Sequence, residues 1–272
     1  MAEEPIGLFG LGLLGSAIAD RLTAAGRSWI GYDPARPELA ASPQAVVSQA
    51  GTLILCLPNS DATAALLPAI PASKTILDTT TGDPAQMARF AVTHPNYLDV
   101  TIGGSSAHLR AGQAILMCGA GPANYAAALP VLKLLSDRVF HCGPPGAGAR
   151  MKLVFNLVLG LNRAALAEGL AFAEHSGLPL ELTLEVLQAG PASSAIMARK
   201  GPKMIHREYS PEARLAQHHK DVRLILASAG ALRLPLTEAH DSILSRAEAL
   251  GHAASDNSAL IEAYRNDSVD GR

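Results

Sequence analysis

Residues 6–22 read IGLFGLGLLGSAIADRL, and this stretch decides the fold class. An apolar run of strand length leads into a glycine-rich turn, Gly10-Leu11-Gly12-Leu13-Leu14-Gly15, and an alanine-rich helical segment follows. The pattern G-x-G-x-x-G between a strand and a helix is typical of dinucleotide-binding turns. Its glycines allow a tight turn, the approach of a pyrophosphate to the backbone, and close packing of helix on strand. We therefore predict a nucleotide site at residues 10–15.

Asp33 ends the next strand-like segment, 18 residues after Gly15. A carboxylate at this position accepts hydrogen bonds from the ribose 2′-hydroxyl of a dinucleotide and repels a 2′-phosphate. Arg36 lies nearby in the sequence and is a residue type that can accommodate a 2′-phosphate. The sequence therefore predicts NAD as the cofactor, with NADP as an alternative.

The first half of the chain alternates short apolar runs with alanine-rich stretches of helical length. Such alternation predicts βαβ units, a parallel sheet and helices on both of its faces, which is a Rossmann-type doubly wound α/β domain. The predicted strands, all expected to be buried, are residues 5–9, 28–32, 52–57, 74–79, 97–102, 114–118 and 138–142.

The character of the chain changes after Gly143-Pro144-Pro145-Gly146. Beyond this point apolar residues recur at steps of three and four, as they do in helices, and no strand pattern is found. We therefore predict a dinucleotide-binding domain over residues 1–146 and an all-α domain for substrate binding and dimerisation over residues 147–272. Residues 266–272 are expected to be frayed.

Composition excludes several classes of protein. The 272 residues are 49% hydrophobic and 17% charged, with a formal net charge of −2. Such a chain is too apolar to be disordered and too weakly charged to bind nucleic acid. The acidic start does not resemble a signal peptide, and no apolar run approaches the roughly 20 residues of a membrane span. We expect a cytoplasmic protein with a small-molecule substrate and neither a membrane nor a nucleic-acid partner.

The cysteines and histidines predict no metal site. Cys56, Cys118 and Cys142 each lie in or beside an apolar run, without a CxxC pair or a neighbouring histidine at ligand spacing. His218 and His219 are adjacent, so on a helix they point about 100° apart and cannot chelate together. We expect three buried free thiols.

Lys152 and Asn156 are four residues apart and share one face of a predicted helix. Apolar residues surround them, so the helix is expected to be buried between domains or subunits. Burial disfavours the ammonium form and lowers the pKa of a lysine towards values useful for proton transfer. The alternative is that Lys152 extends from the first turn of the helix to solvent.

Seven motifs in order along the chain resemble those of the β-hydroxyacid dehydrogenases, the family of 3-hydroxyisobutyrate dehydrogenase. The first motif is the glycine turn. The others are LCLP at 55–58, DTTTGDP at 78–84, the loop at 99–112, GAGARMKLVFN at 146–156, KD at 220–221 and SDNSA at 255–259.

The resemblance implies roles for individual residues. Lys152 and Asn156 would be catalytic, with Lys152 as the general acid/base, and both would contact the substrate. The loop residues Gly103, Gly104 and Ser105 would also bind substrate. The cofactor would be held by residues 10–15 and Asp33, joined by Leu57, Pro58, Thr80 and Lys220. For Lys220 the alternative is a solvated lysine beside Asp221.

The sequence departs from the family pattern around the substrate. Gly103 stands where the family usually has a serine that holds the substrate carboxylate, so that contact is in doubt. The other departures are Thr101 for a proline, Ser105 and His108 for glycines, and Ala195 and Ala213 for bulky aromatic residues. His108 or Arg110 could supply a replacement cation, although a solvated loop is the simpler interpretation.

The sequence therefore predicts an NAD(P)-dependent oxidoreductase acting on a small β-hydroxy acid or its semialdehyde. The first alternative is an NADPH-dependent imine reductase, which the altered loop keeps open. The second is a non-catalytic protein that uses the cofactor domain for assembly. A homodimer or higher homo-oligomer is expected, because the apolar helix from Lys152 to Leu178 needs a partner to cover it.

Overall fold

The computed structural model describes residues 4–36, 38–39 and 42–266. The chain divides into two compact units, Met1–Lys152 and Leu153–Arg272. Of the segment expected to be frayed, residues 267–272 lie outside the described residues.

The described part of the first unit alternates strands and helices. Its strands are β1 Ile6–Phe9, β2 Trp29–Tyr32, β3 Thr52–Leu55, β4 Thr75–Asp78, β5 Tyr97–Gly103, β6 Ile115–Gly119 and β7 Val139–Gly143. Its helices are α1 Leu13–Ala24, α2 Pro43–Gln49, α3 Ser60–Leu66, α4 Pro84–Thr93, α5 Ser106–Arg110, α6 Pro122–Leu135 and the start of α7 Ala147–His175. All seven predicted strands are therefore present.

The strands form one sheet in the order β2-β1-β3-β4-β5-β6-β7. Strands β1 to β5 are parallel, as predicted, but β6 pairs antiparallel to β5, and β7 is parallel to β6. The prediction of a wholly parallel sheet is therefore wrong for the last two strands. The reason is the short connection at residues 104–114, because a parallel crossover needs a dozen or more residues.

The burial of all strands is a second prediction that needs correction. Strand β7 lies at one edge of the sheet, and Phe140 is 53% exposed. Strand β2 lies at the other edge, where three of its four residues are only partly buried. Edge strands have one neighbour and less cover, so an apolar run alone does not establish burial.

Alternate residues of the central strands pack on opposite faces of the sheet. On one face, Ile54 packs in an apolar cluster with residues of helices α1, α5 and α6, among them Leu132 of α6. On the other face Leu53 and Leu55 pack in a cluster with α2 and α4, represented by Met87. The first unit is thus a doubly wound α/β domain, as predicted.

The second unit is helical in its described residues, apart from one isolated bridge between Arg214 and Asp256. Its helices are the rest of α7, α8 Leu180–Ala189, α9 Met197–Ile205, α10 Leu215–Ser228, α11 Pro235–Ala247 and α12 Glu262–Arg265. Leu170, Met204, Leu244 and Leu260 are central to its apolar core.

Helix α7 is long and apolar enough, by length and composition alone, to cross a membrane. This is weak evidence, because the core helices of globular proteins pass the same test, and 44% of its most apolar window is buried in the protein. Two of its charged side chains, Lys152 and Arg163, are themselves buried.

Candidate active site

The glycine turn joins β1 to α1 in a geometry that two of its glycines require. Gly10 has a φ of +86°, and a Cβ at this position would clash with the Cys56 carbonyl. A Cβ on Gly15 would clash with the Gly10 carbonyl, so this glycine lets α1 pack against the turn. These two positions need glycine for the fold of the protein itself.

Gly12 is glycine for a different reason. A Cβ built on Gly12 would meet no protein atom within 4 Å, so protein packing does not exclude a side chain there. Gly12 is also the N-cap of α1, and no side chain caps this helix. The first N–H groups of α1 are therefore not capped by a side chain, which fits the binding of an anionic pyrophosphate.

Asp33 lies directly against the glycine turn. Its carboxylate accepts hydrogen bonds from the N–H of Leu11 at 2.6 Å and from the N–H of Ala35 at 2.8 Å. The exposed Arg36 pairs with Glu38 at 3.3 Å and approaches the Ser16 hydroxyl of α1 at 3.5 Å. Asp33 and Arg36, the two residues that bear on the choice between NAD and NADP, therefore both lie near the glycine turn.

The ends of β3 and β4 complete this edge of the sheet. The N–H of Leu57 donates to the Thr80 hydroxyl at 3.1 Å, and Leu57 also lies beside Gly10. The N–H of Thr80 donates to the buried Asp78 at 2.9 Å. Burial raises the pKa of Asp78, whereas hydrogen bonds from Thr80 lower it. The structure therefore places Leu57 beside the glycine turn and Thr80 beside Leu57, and Pro58 follows Leu57 in the chain.

The predicted substrate loop begins where β5 ends. Gly103 is buried, and Gly104 has a φ of +125° that favours glycine. Ser105 caps α5: its hydroxyl accepts from the N–H of His108, and its own N–H donates to His108 Nδ1 at 3.2 Å. Both groups of Ser105 are thus engaged within the loop.

Lys152 lies beside this loop. Its side chain is buried, with the residue 9% exposed, and its ammonium donates to the Ile102 carbonyl at 2.6 Å. Ile102 immediately precedes Gly103, so the candidate general acid/base contacts the strand that leads into the loop. The alternative, in which Lys152 extends to solvent, does not fit this burial.

The second unit holds Asn156 and Lys220. Asn156 Nδ2 donates to Asp221 Oδ2 at 2.9 Å, and Lys220 forms an ion pair with Asp221 Oδ1 at 3.2 Å. Asn156 and Asp221 are buried, whereas the Lys220 side chain is 33% exposed. Asp221 thus connects the two predicted site residues of this unit.

Sequence reasoning missed three buried polar residues. In the sequence, Asp221 stands out only as a neighbour of Lys220, and Asp99 only as the start of a motif. Arg163 is 1% exposed on α7, and its Nε and Nη2 have no hydrogen-bond partner among the described residues. Burial lowers the pKa of Arg163 to about 10. The KD and loop motifs could have drawn attention to the two aspartates, but no sequence signal marks Arg163.

The cysteines are free, as expected, but the expectation that all three are buried is wrong, because only Cys118 is buried whereas Cys56 and Cys142 are partly buried. Burial raises the pKa of Cys56 to about 11 and that of Cys118 to about 12, so both are neutral thiols near pH 7. Within the described residues, no group of three His, Cys, Asp or Glu side chains could hold a metal ion.

Two family descriptions match consecutive parts of the chain. Residues 5–143 match the NAD binding domain of 6-phosphogluconate dehydrogenase. Residues 146–264 match the family described as NAD-binding of NADP-dependent 3-hydroxyisobutyrate dehydrogenase.

Curated relatives and solved structures agree with these matches. The chain is 32% identical over 196 residues to 2-hydroxy-3-oxopropionate reductase of Escherichia coli, an alignment that covers 70% of this chain and 67% of the relative. It is 32% identical over 171 residues to glyoxylate/succinic semialdehyde reductase 1 of Arabidopsis thaliana, covering 62% of this chain and 59% of the relative. The fold matches a 3-hydroxyisobutyrate dehydrogenase structure from Salmonella typhimurium with a TM-score of 0.87, at 23% identity, over 96% of this chain and 99% of that one.

The matches confirm the resemblance inferred from the motifs, the α/β fold class and the expectation of an NAD(P)-dependent enzyme. The chain belongs to the β-hydroxyacid dehydrogenase family, whose NAD(P)-dependent dehydrogenases and reductases act on CH–OH groups.

Proposed function

We propose that the enzyme interconverts a small β-hydroxy acid and its semialdehyde, with Lys152 as the general acid/base. The observation that carries this proposal is the position of the Lys152 ammonium, 2.6 Å from the Ile102 carbonyl and next to Gly103. A buried amine at the entrance to the substrate loop can exchange a proton with the substrate hydroxyl.

The nicotinamide cofactor supplies the hydride acceptor or donor when it is bound. Residues 10–15, Leu57, Pro58 and Thr80 would hold it at the carboxyl edge of the sheet, and the family motif makes Lys220 a further candidate for cofactor binding. In oxidation neutral Lys152 takes the hydroxyl proton, and in reduction its ammonium returns a proton to the forming alkoxide. Asn156, one helical turn beyond Lys152, orients the substrate through a hydrogen bond.

The substrate carboxylate is bound mainly by backbone N–H groups of Gly103 and Gly104. A serine hydroxyl is missing at Gly103, and Ser105 is engaged with His108. The loop therefore offers fewer side-chain donors than the family pattern, which is the observation that keeps an imine reductase as the second candidate.

The experiment is a substrate panel with purified enzyme. NAD⁺ and NADP⁺ reduction is followed with several 3-hydroxy acids, and NADPH oxidation is followed with semialdehydes and with cyclic imines. We expect turnover of hydroxy acids and semialdehydes. Turnover of imines alone would overturn the substrate class, and the absence of turnover with every pair would favour the non-catalytic alternative.

The choice of cofactor is tested at Asp33. We propose that NAD is preferred, because the Asp33 carboxylate repels a 2′-phosphate near the glycine turn. Replacing Asp33 with alanine should raise kcat/KM for NADP⁺ relative to NAD⁺. The measurement is the ratio of the two kcat/KM values, with Glu38→Ala as the control for a lost acidic residue near Arg36. An unchanged ratio in Asp33→Ala contradicts the assignment.

We further propose a homodimer formed through α7. Met151, Val154 and Val158 lie at helical spacing on one face and are 44%, 58% and 51% exposed. These three side chains are apolar and offer no charge to a polar partner. A second copy of the chain, related by a two-fold axis, presents the same apolar surface to them.

The cytoplasmic location expected from the sequence stays a prediction.

Light scattering tests this assembly. The wild-type enzyme should have about twice the mass of the 28.2 kDa chain, and Val158→Glu should yield monomer because it buries a charge in the interface. Val92→Glu is the matched control, since Val92 is 80% exposed on α4. A monomeric wild type, or a Val158→Glu variant that remains dimeric, contradicts the proposal.

A further inference from the structure

The first turn of α7 lies directly on the backbone of β5 and β6. A Cβ on Gly148 would come within 2.5 Å of the Met117 carbonyl and 2.6 Å of the Asp99 carbonyl. Gly146, the residue before the helix, has a φ of +87°, and a Cβ there would approach the Pro84 carbonyl at 2.6 Å. The glycines of this segment allow a contact that larger residues would prevent.

This arrangement leaves α7 without a cap of its own. The first N–H groups of a helix have no partner within it, and the residue at the N-cap usually supplies one through its side chain. Gly146 has no side chain to offer, and packing against Pro84 excludes one. The N–H groups at the start of α7 must therefore find a partner elsewhere in the fold.

Asp99 of β5 supplies this partner. Its fully buried carboxylate accepts from the N–H of Gly146 at 2.7 Å with one oxygen and from the N–H of Ala149 at 2.8 Å with the other. A carboxylate at a helix N-terminus also interacts favourably with the helix dipole. Asp99 therefore caps α7 from a strand 47 residues earlier in the chain.

Two further contacts tie the same strand to the same turn. The Thr101 hydroxyl donates to the Gly148 carbonyl at 2.9 Å. The Lys152 ammonium donates to the carbonyl of Ile102. Three residues of β5 therefore hold the start of α7. Asp99 and Thr101 bind its backbone and that of the preceding Gly146, and Ile102 binds the side chain of Lys152.

We propose that Asp99 is a positioning residue that sets the place of the Lys152 amine relative to the substrate loop. This inference rests on the proposed catalytic role of Lys152. Lys152 follows Ala149 by three residues, about 4.5 Å along the helix axis at 1.5 Å per residue. A shift or tilt of the first turn of α7 therefore also moves the Lys152 amine.

The kinetic test compares Asp99→Asn with Asp83→Asn. Asparagine keeps the shape of Asp99 but places an NH₂ group against a backbone N–H, so one of the two bonds is lost. Asp83 is the matched control, because its carboxylate caps α4 through the N–H groups of Ala85 and Gln86. Asp99→Asn should lower kcat about 10- to 100-fold with cofactor affinity unchanged, whereas Asp83→Asn should leave kcat at the wild-type value.

Hydrogen exchange tests the same idea without using activity. In Asp99→Asn the amides of Gly146 and Ala149 should exchange faster, with those of Ala85 and Gln86 unchanged. Asp83→Asn should leave all four amides unchanged, because Asp83 accepts both of its bonds with one oxygen, which asparagine retains. If Asp99→Asn does not fold, Thr101→Val decides, because it removes the bond to Gly148 with little change of shape. Its kcat should fall, and a wild-type kcat would contradict the proposal.

The pH profile gives a third readout. Burial raises the pKa of Asp99 to about 6, although the bonds from Gly146 and Ala149 lower it. The reduction is the direction to follow, because it uses Lys152 as the ammonium and does not lose that group on acidification. As the pH falls through about 6, the Asp99 carboxyl gains a proton that competes with these N–H groups, so kcat for reduction should decline, and Asp99→Asn should lack this decline. The titratable groups that interact with Asp99 are Asp78, Tyr97, Cys118 and Cys142. A decline that persists in Asp99→Asn contradicts the assignment to Asp99.

The outcomes separate this inference from the proposed function. A fully active Lys152→Ala overturns the proposed function and, with it, the role of Asp99 in catalysis. A fully active Asp99→Asn beside an inactive Lys152→Ala overturns only the positioning role. Low kcat in Asp99→Asn with faster exchange at Gly146 and Ala149 supports both.

Discussion

Replacing Lys152 with alanine is expected to lower kcat for hydroxy-acid oxidation by about 10²- to 10⁴-fold, the usual contribution of a general acid/base. The affinity for NAD(P) should be unchanged, because the ammonium contacts the Ile102 carbonyl rather than the glycine turn. The measurements are steady-state kinetics and a cofactor titration in the absence of substrate.

The chain offers a matched control for this substitution. Lys74 also donates to a backbone carbonyl, that of Ala50 at 2.7 Å, but at the amino end of the strands. Lys74→Ala should therefore keep the wild-type kcat. If Lys152→Ala also keeps it, the proposed mechanism is wrong.

A second variant separates proton transfer from charge. Lys152→Arg keeps a cation at the site, but a guanidinium does not lose its proton in proteins. It should be as impaired as Lys152→Ala in oxidation, which needs a neutral base. Substantial oxidation by Lys152→Arg would assign to Lys152 a purely electrostatic role.

The parts of the fold that were predicted correctly depend on local sequence. The G-x-G-x-x-G turn and the seven strands follow from patterns within a few residues, and the family motifs place Lys152 and Asn156 on one helix. The direction of β6 follows from the short connection at 104–114, whereas the alternation of strands and helices along the chain favours a parallel strand at this place.

The parts that were missed depend on contacts between distant residues. Asp99 meets Gly146 and Ala149 across 47 and 50 positions, and Asn156 meets Asp221 across 65. Nothing in either segment alone identifies its partner. Sequence spacing could place Lys152 near the loop by resemblance, but it could not show that β5 caps the helix that carries it.

The capping of α5 is an intermediate case, because its sequence pattern is local but atypical. Ser105 and His108 are three residues apart, the spacing of a capping box, although the usual partner is Glu or Gln. The structure shows both bonds of this box. His108, noted in the sequence as a departure from glycine, thus has a structural role, and the N–H of Ser105 is engaged by its own helix cap.

The second unit depends on a buried ion pair whose loss should destabilise the protein strongly. Lys200 donates to the two oxygens of Asp256 at 2.7 and 2.9 Å, with side chains that are 5% and 0% exposed. Asp256 also accepts bonds from the N–H groups of Glu212, Ala213 and Ser258 and from the Ser258 hydroxyl. It thus joins α9, the segment before α10 and the turn after residue 255.

Replacing Asp256 with alanine is expected to lower the free energy of unfolding by about 3–5 kcal/mol, because it leaves several N–H groups unpaired and the buried Lys200 charge with only the more exposed Glu212 as its partner among the described residues. Urea unfolding at pH 7 measures this loss. The control is Asp20→Ala, which removes the exposed pair of Asp20 and Arg110 and should cost no more than about 1 kcal/mol. Similar losses in the two variants would contradict the role of the buried pair.

The pH dependence of stability provides an independent check on Asp256. Burial raises its pKa, but the bonds from Lys200 and Ser258 outweigh burial and bring it down from 3.8 to about 2. A carboxyl whose pKa is lowered by folding contributes stability above its unfolded value and loses it as the pH falls towards its folded value. The wild-type enzyme should therefore lose this contribution between about pH 4 and pH 2, and Asp256→Ala should lose less stability over the same range. Equal losses in the two proteins would assign the acid sensitivity to other carboxylates, such as Glu212 and Glu262. Burial raises the pKa of both, but Lys200 lowers that of Glu212, and the hydrogen bonds from Tyr209 and Arg265 lower that of Glu262, so both pKa values lie below the ordinary value.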